Sequence, residues 1–368
     1  GGGAAASSLD VLQGDPARVR DLDVGFSSLR TIRAEAPAAA PRVAIELRLA
    51  GRTLSGTVRN LSDETLERPS VVLGSSVAVL SDLPPGAERQ VRLTLAANPF
   101  GPSLADRIVG QVFFDDPRAG RNQQALLIRR QILDQLSYDA MFGVATRLPA
   151  DGPVLLAFGS RPILDVTVDG HETRRTSTVL YYIPASLDVA GEVTFGGDLL
   201  RATPIAADAL FFNQDFGGGF TFGEGSVTLA YRPIGYVGAL APRRLLVGLS
   251  FGPDQLFGTR SAKPVQAEGP AREPGDEPSD CIGEACPAPN KPLVPGPAQP
   301  PVPRVDLFDL EARAWASLPE LTPNEDYAIL APERYVDPAS GTVLVRLVNG
   351  RADPVSVTLN VQLEGEVQ

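Results

Sequence analysis

From Arg42 to Leu49 apolar and polar side chains alternate: Val43, Ile45, Leu47 and Leu49 share one face, with Arg42, Glu46 and Arg48 mostly opposite. A period of two belongs to a half-buried β-strand, because successive strand side chains point to opposite faces. The signal recurs in short pieces. Ala50-Gly51-Arg52 turns into Thr53–Val58, and polar Asn60–Glu64 precedes Pro69–Leu73 and Val77–Leu80. Pro84-Pro85-Gly86 then leads to Val91–Leu95. Short strands with regular turn signals predict an antiparallel sandwich, here over 20–115.

The middle of the chain changes period. Ala125, Ile128, Ile132 and Leu136 recur every three or four residues, with Leu126 and Leu133 flanking the stripe and Asn122 as N-cap. This predicts one substantial amphipathic helix near 122–141, packed on a sheet through its apolar face. Beyond Asp151-Gly152-Pro153 come an apolar strand, Val154–Phe158, and a hairpin. The hairpin runs Ile163–Val168, turns at Asp169-Gly170 and returns through Thr173–Ile183, since Gly accepts the positive φ of the turn. Residues 116–187 are thus expected to be a helix-plus-hairpin connector.

From 188 onward the pattern is β again, in Val193–Phe195, Ala209–Asn213, Phe220–Phe222, Ser226–Tyr231 and Leu245–Phe251. It resumes in Val305–Leu310, Thr342–Val348 and Pro354–Leu363. Between them, 258–303 holds 12 of the 34 prolines and almost no large apolar residue, a composition that builds no core. Neither side has enough strands alone, so 188–368 is expected to be one sandwich with a Pro-rich insertion. An interdomain linker is the alternative. The fold class is mainly β: two antiparallel sandwich modules joined by a helix-plus-hairpin segment.

Charge excludes one class of partner. The net charge of −11 repels phosphate backbones, so nucleic acid is not expected. No apolar run reaches the ~18 residues of a membrane-spanning helix. Lys263 and Lys291 are the only lysines among 33 basic residues, as a GC-rich genome would produce. The opening Gly1-Gly2-Gly3-Ala4-Ala5-Ala6-Ser7-Ser8 reads as a flexible linker over 1–19, left after removal of a signal or anchor segment.

The residues that could carry chemistry are few. His171 is the only histidine, sits at the Asp169-Gly170 turn and reads as a turn residue. There is no G-x-S-x-G elbow, and zinc would want more soft ligands than Cys281 and Cys286 provide. Those two cysteines read as a local disulfide in an oxidising compartment. Asp115-Asp116 with Asn122 offers hard oxygen ligands but reads as a solvated turn. Asn60-Leu61-Ser62 fits a glycosylation sequon and reads as a turn.

The most unusual segment is Phe211-Phe212-Asn213-Gln214-Asp215-Phe216-Gly217-Gly218-Gly219-Phe220-Thr221-Phe222. A hairpin with Phe220 and Phe222 facing the core is the preferred reading. The functional one is an aromatic sugar platform in which Asn213 and Asp215 bond hydroxyls.

Gly56-Thr57-Val58-Arg59-Asn60, then Val71-Val72-Leu73 and Leu83-Pro84-Pro85-Gly86, resembles the "G-x-V-x-N" strand and "L-x-P-G" turn of secreted bacterial Ig-like modules. Asp309-Leu310-Glu311-Ala312-Arg313-Ala314-Trp315 is similar to the "D-W/L-x-x-x-x-W" of uncharacterised membrane-anchored bacterial ectodomains. The resemblance implies an extracellular or cell-surface location and an architecture, with no activity and no cofactor. The expected function is a non-catalytic structural or interaction ectodomain whose partners are other surface proteins or glycans. The alternatives are a carbohydrate-binding module or adhesin, and a glycan hydrolase with an unrecognised carboxylate pair.

Overall fold

In the computed structural model, residues 10–12, 18–20, 39–95, 102–111, 123–136, 152–163, 177–214, 219–235, 238–251, 262–270 and 302–367 are described. The chain divides after Ala40 into two compact units. In the first, β1 (Asp10–Leu12) and β2 (Arg18–Arg20) pair antiparallel, with Val11 opposite Val19. This corrects the reading of 1–19 as a linker throughout: two short runs carrying branched side chains pair with each other. It also moves the start of the first sandwich from 20 to Val43.

The second unit begins with β3 (Val43–Gly51), β4 (Thr53–Asn60), β5 (Glu67–Leu73), β6 (Ser76–Val79) and β7 (Glu88–Thr94). Two helices follow, α1 (Leu104–Ile108) and α2 (Gln123–Leu136), then β8 (Val154–Gly159) and β9 (Val179–Pro184). Strands β3, β4 and β7 are neighbours in one sheet, and β6-β5-β8-β9 form the facing one. Alternation sends Leu47, Leu49, Leu54, Val58 and Val91 into a shared core with Val71, Leu73, Leu155, Ala157 and Tyr181. Strands β8 and β9 therefore complete the first sandwich, where a separate connector was expected. All six residues of β8 are buried because both faces are covered. Val154, Leu156 and Phe158 meet the helices, and Leu155 and Ala157 meet the sandwich core.

Helix α2 docks as expected, but not by the expected stripe. Leu133 is its buried residue, with Leu126 and Leu136 packed beside it, while Ala125 is exposed. Counting only apolar residues misplaces the face, because two arginines help to form it. The Arg129 guanidinium lies 5.0 Å from the centre of the Phe158 ring and pairs with Glu67, and Arg130 pairs with Asp106 on α1 at 2.6 Å. Their stems cover apolar surface while their charges find carboxylates. The hairpin also differs from expectation: β9 pairs with β8, Ile183 opposite Leu155, and Ile163 lies in no strand. Residues 164–168, Asp169-Gly170 and His171 lie outside the described residues.

The second sandwich contains β10 (Asp188–Gly196), β11 (Leu200–Ala207), β12 (Phe212–Gln214), β13 (Gly219–Phe222), β14 (Gly225–Pro233), β15 (Leu240–Ser250), β16 (Lys263–Val265) and β17 (Glu268–Pro270). After 302 come β18 (Arg304–Asp309), β19 (Ala314–Ser317), β20 (Asp326–Ile329), β21 (Val343–Asn349) and β22 (Val355–Val367). One of its sheets has the order β11-β14-β21-β18-β19-β17. The other runs β16-β20-β15-β22-β10 and continues without a break into β3-β4-β7, with the β12–β13 hairpin on the start of β22. Strands from the two sides of 258–303 pair directly, β14 with β21 and β15 with β22. Within that Pro-rich stretch 262–270 forms two strands, which corrects its reading as wholly outside the fold. Val265 and Ala267 find core contacts, and the prolines fall on outermost strands.

Strand β10 joins the halves. It runs parallel to β3, Asp188 opposite Arg48, and antiparallel to β22, Gly191 opposite Val367. Strands β3 and β22 therefore run in opposite directions. The register places Val367, opposite Gly191, toward the Gly51 end of β3 and away from Val43.

Candidate functional site

Where β22 starts, at one end of the second sandwich, the chain crosses repeatedly between the two sheets. Residues 208–211 carry it from β11 to β12, and 223–224 carry it from β13 to β14. The two crossings lie on each other. Asp208 and Leu210 donate their N–H groups to the carbonyls of Ser226 and Glu224, each at 3.0 Å, and Gly223 donates to Phe211 at 3.1 Å. A Cβ on Gly225 would stand 2.6 Å from the Ala209 backbone, at φ +122°, so glycine is required for this approach. Leu210 projects from the crossing 80% exposed, and Phe211 46% exposed. Asp208 and Glu224 beside them are also exposed.

The β12–β13 hairpin hangs from this apex. Phe220 and Phe222 are fully buried, and Phe212 stacks on Phe220 with ring centres 6.1 Å apart. The aromatic platform is corrected accordingly: β13 pairs with β22 in a register that turns Phe220 and Phe222 into the core. Phe211 and Asn213 remain at the surface, while Asp215 and Phe216 lie outside the described residues. The same holds for Cys281 and Cys286, and for Asp115, Asp116 and Asn122. Sequence alternation could not single out Leu210, since it lies between strands.

Three of the sequence motifs turn out to be structural devices. In the G-x-V-x-N run, a Cβ on Gly56 would meet the Glu46 carbonyl oxygen at 1.9 Å, and Val58 is fully buried. Asn60 is also fully buried. Its Nδ2 donates to the carbonyls of Glu64 (2.7 Å) and Leu83 (2.8 Å), and its Oδ1 accepts from the Ser62 N–H (2.9 Å) and hydroxyl (2.6 Å). An amide nitrogen so engaged is a turn anchor and not a glycan acceptor. The L-x-P-G turn is the other half of the same device, for Gly86 donates to the Asn60 carbonyl at 2.9 Å. Asn349 repeats the arrangement in the second sandwich, donating to the Asp353 carbonyl and accepting from Arg351 N–H. Nearby, Tyr181 donates to Glu64 at 2.8 Å; burial, and then this bond, push its phenol up to about 12.

The third motif begins at Asp309, which accepts from the N–H groups of Glu311 and Ala312 and pairs with Arg334, closing the β18–β19 turn. Trp315 at its far end meets Phe308 edge-on at 5.3 Å and lies 4.8 Å from the Arg346 guanidinium. Under them is a fully buried carboxylate, Asp306. It accepts from Arg346 Nε (2.9 Å), Arg304 Nε (3.1 Å) and the Ser317 hydroxyl (2.9 Å). Asp306 stands directly opposite both Arg346 and Ser317 in the sheet, so register alone assembles the cluster. With both oxygens committed to cationic or hydroxyl donors, this carboxylate is a cross-strand tie and not a free base. Among the described residues no group of three or more His, Cys, Asp or Glu could hold a metal ion.

A mainly β protein of two sandwiches sharing one sheet, with Leu210 and Phe211 exposed side by side at one apex, is the class that these features define. Residues 42–189 match the model of a family described as a domain of unknown function (DUF8725), a span that opens at the start of β3 and closes just inside β10. No curated protein and no solved structure matches the chain.

Proposed function

We propose that this chain is a non-catalytic extracellular part of a bacterial surface protein, which holds the apex of its second sandwich out toward a partner. One observation carries the reading: Leu210 and Phe211, neighbours in the chain, protrude side by side at the end of the second sandwich where β22 starts. Strand β22 runs back from this apex, and its 13 residues span roughly 40 Å at ~3.3 Å each. Large apolar residues exposed side by side carry a desolvation gain that only contact realises. The sheet-fused sandwiches supply stiffness behind them. A second reading, carbohydrate binding, rests on Phe211 with Asn213 close by in sequence; it has lost Phe220 and Phe222 to the core.

The test is a photo-activated cross-linker in place of Phe211, applied to cell envelopes of the producing organism, with the same group at exposed Arg59 as control. A discrete protein adduct from position 211 alone supports the reading. In parallel, the protein is incubated with cell-wall and plant polysaccharides. Retention lost in Phe211→Ala favours the carbohydrate reading. Reducing ends above a heat-killed control overturn the non-catalytic assignment.

A further inference from the structure

The larger sheet changes character along its outer face. On β3, β4 and β7 that face carries Glu46, Arg48, Arg59, Glu88 and Arg92, all exposed, as a surface meeting water usually does. Along the first part of β22 the charges stop. The outward positions there are Ser356, Thr358, Asn360 and Gln362, alternating with buried Val357, Leu359 and Val361. Charge returns beyond them, in Glu364 and Glu366, which pair with Arg244 and Arg243.

Register widens this lane across the β12–β13 hairpin. Ser356 stands opposite Thr221, and Thr221 opposite Asn213, so the three side chains form one row on one face. The Thr221 and Ser356 hydroxyls are 2.7 Å apart. Phe211, two residues before Asn213, extends the same ladder: its carbonyl accepts from Gly223. A Cβ on Gly223 would meet two carbons of the Phe211 ring at 3.1 Å. The ring therefore lies against a position that has no side chain, and it stays 46% exposed. Gly219 beside Thr358 and Gly248 beside Asn360 keep the flanks of the lane low. Asp326 reaches over Gly248 from β20 and bounds the far side.

Charge and hydrogen-bonding capacity select the occupant. Hydroxyls and amides each donate and accept, so they match a polyol and not an ion of one sign. An ionic group laid on the lane would lose water without meeting an opposite charge. A protein interface needs large apolar anchors at its centre, and the lane has one ring, at its end. Such a ring takes the C–H face of a pyranose while the row beside it bonds the hydroxyls. We propose that Asn213, Thr221 and Ser356, flanked by Phe211 and continued along β22 by Thr358 and Asn360, bind an uncharged glycan chain. From Ser356 to Gln362 the strand covers about 20 Å at ~3.3 Å per residue, a length that suits an oligosaccharide better than a single sugar. Of the two readings above this rests on carbohydrate binding, and Leu210 takes no part in it.

The experiment is affinity electrophoresis of the full chain through gels carrying soluble β-glucan, mannan or starch, with alginate and heparin as anionic counterparts, at low and high salt. At least one uncharged polysaccharide is expected to retard the parent, equally at both salts. Ser356→Asp and Asn213→Ala are each expected to weaken that binding at least tenfold, while Leu210→Ser and Arg59→Ala leave it unchanged. Hydrogen exchange over 355–363 verifies the fold of each variant; if Ser356→Asp loses protection there, Asn213→Ala on the outermost strand decides. Binding that survives Asn213→Ala but is lost in Leu210→Ser overturns the proposal, since the apex is then the site. So does retardation by alginate or heparin alone, abolished by salt. Retardation by none of the polysaccharides overturns it as well, and a protein adduct from position 211 would then leave the apex reading standing by itself. Retardation without any such adduct supports the glycan face and removes the protein partner.

Discussion

Asn60 shows how much can hang on one amide. Its four hydrogen bonds tie the end of β4 to the turn after it and to the Leu83-Pro84-Pro85-Gly86 turn, with the Asn60 side chain itself fully buried. Asn60→Asp keeps the shape but points a buried oxygen at two carbonyl oxygens. The expected cost is about 3 kcal/mol at neutral pH, read as a lower urea midpoint with unchanged slope. Tyr181 gives the pH counterpart. Its folded pKa is raised from 10.0 to about 12, so the stability it contributes is complete below pH 10 and is lost as pH climbs toward 12. Tyr181→Phe is expected to cost about 1 kcal/mol at pH 7 for the lost hydrogen bond and to flatten the decline between pH 10 and 12. Unfolding free energy measured against pH for both proteins checks the sign.

Among the elements, the strands of high alternation were legible and those of low alternation were not. Strands β3, β4, β7, β14, β21 and β22 fall where their period of two puts them, because one face of each meets a core. Strand β11 escapes that reading: Pro204 and a register shift before Ala206 break its alternation, and most of its side chains are exposed. The α2 face was displaced for the complementary reason, since Arg129 and Arg130 do interior work through their stems. Of the candidate site, Phe211 was legible as part of an odd aromatic run. That Phe220 and Phe222 leave it for the core depends on pairing with β22, far along the chain. Gly56 marks the limit of tolerance within an element. A methyl group there collides with the Glu46 backbone, so Gly56→Ala is expected to separate β3 from β4 and cost more than roughly 3 kcal/mol. Loss of hydrogen-exchange protection over 43–60 is the readout.

For the whole molecule, the pairing of β14 with β21 and β15 with β22 makes one sandwich of two distant stretches of chain. Cleavage between 271 and 300 is expected to leave two fragments that co-elute on sizing and separate only in denaturant; separation without it contradicts the observed pairing. The parallel contact between β3 and β10 has a further, kinetic consequence. Strand β3 is the first strand of its sheet to be made, yet its outer neighbour arrives only after β9 has been completed. Until Asp188 reaches Arg48, one side of β3 has hydrogen-bonding groups without strand partners. Contacts of such long sequence separation form late and slowly. A nascent chain halted before residue 189 therefore carries an open, adhesive edge, and any helper that accompanies it has to shield that edge for the time needed to deliver β10.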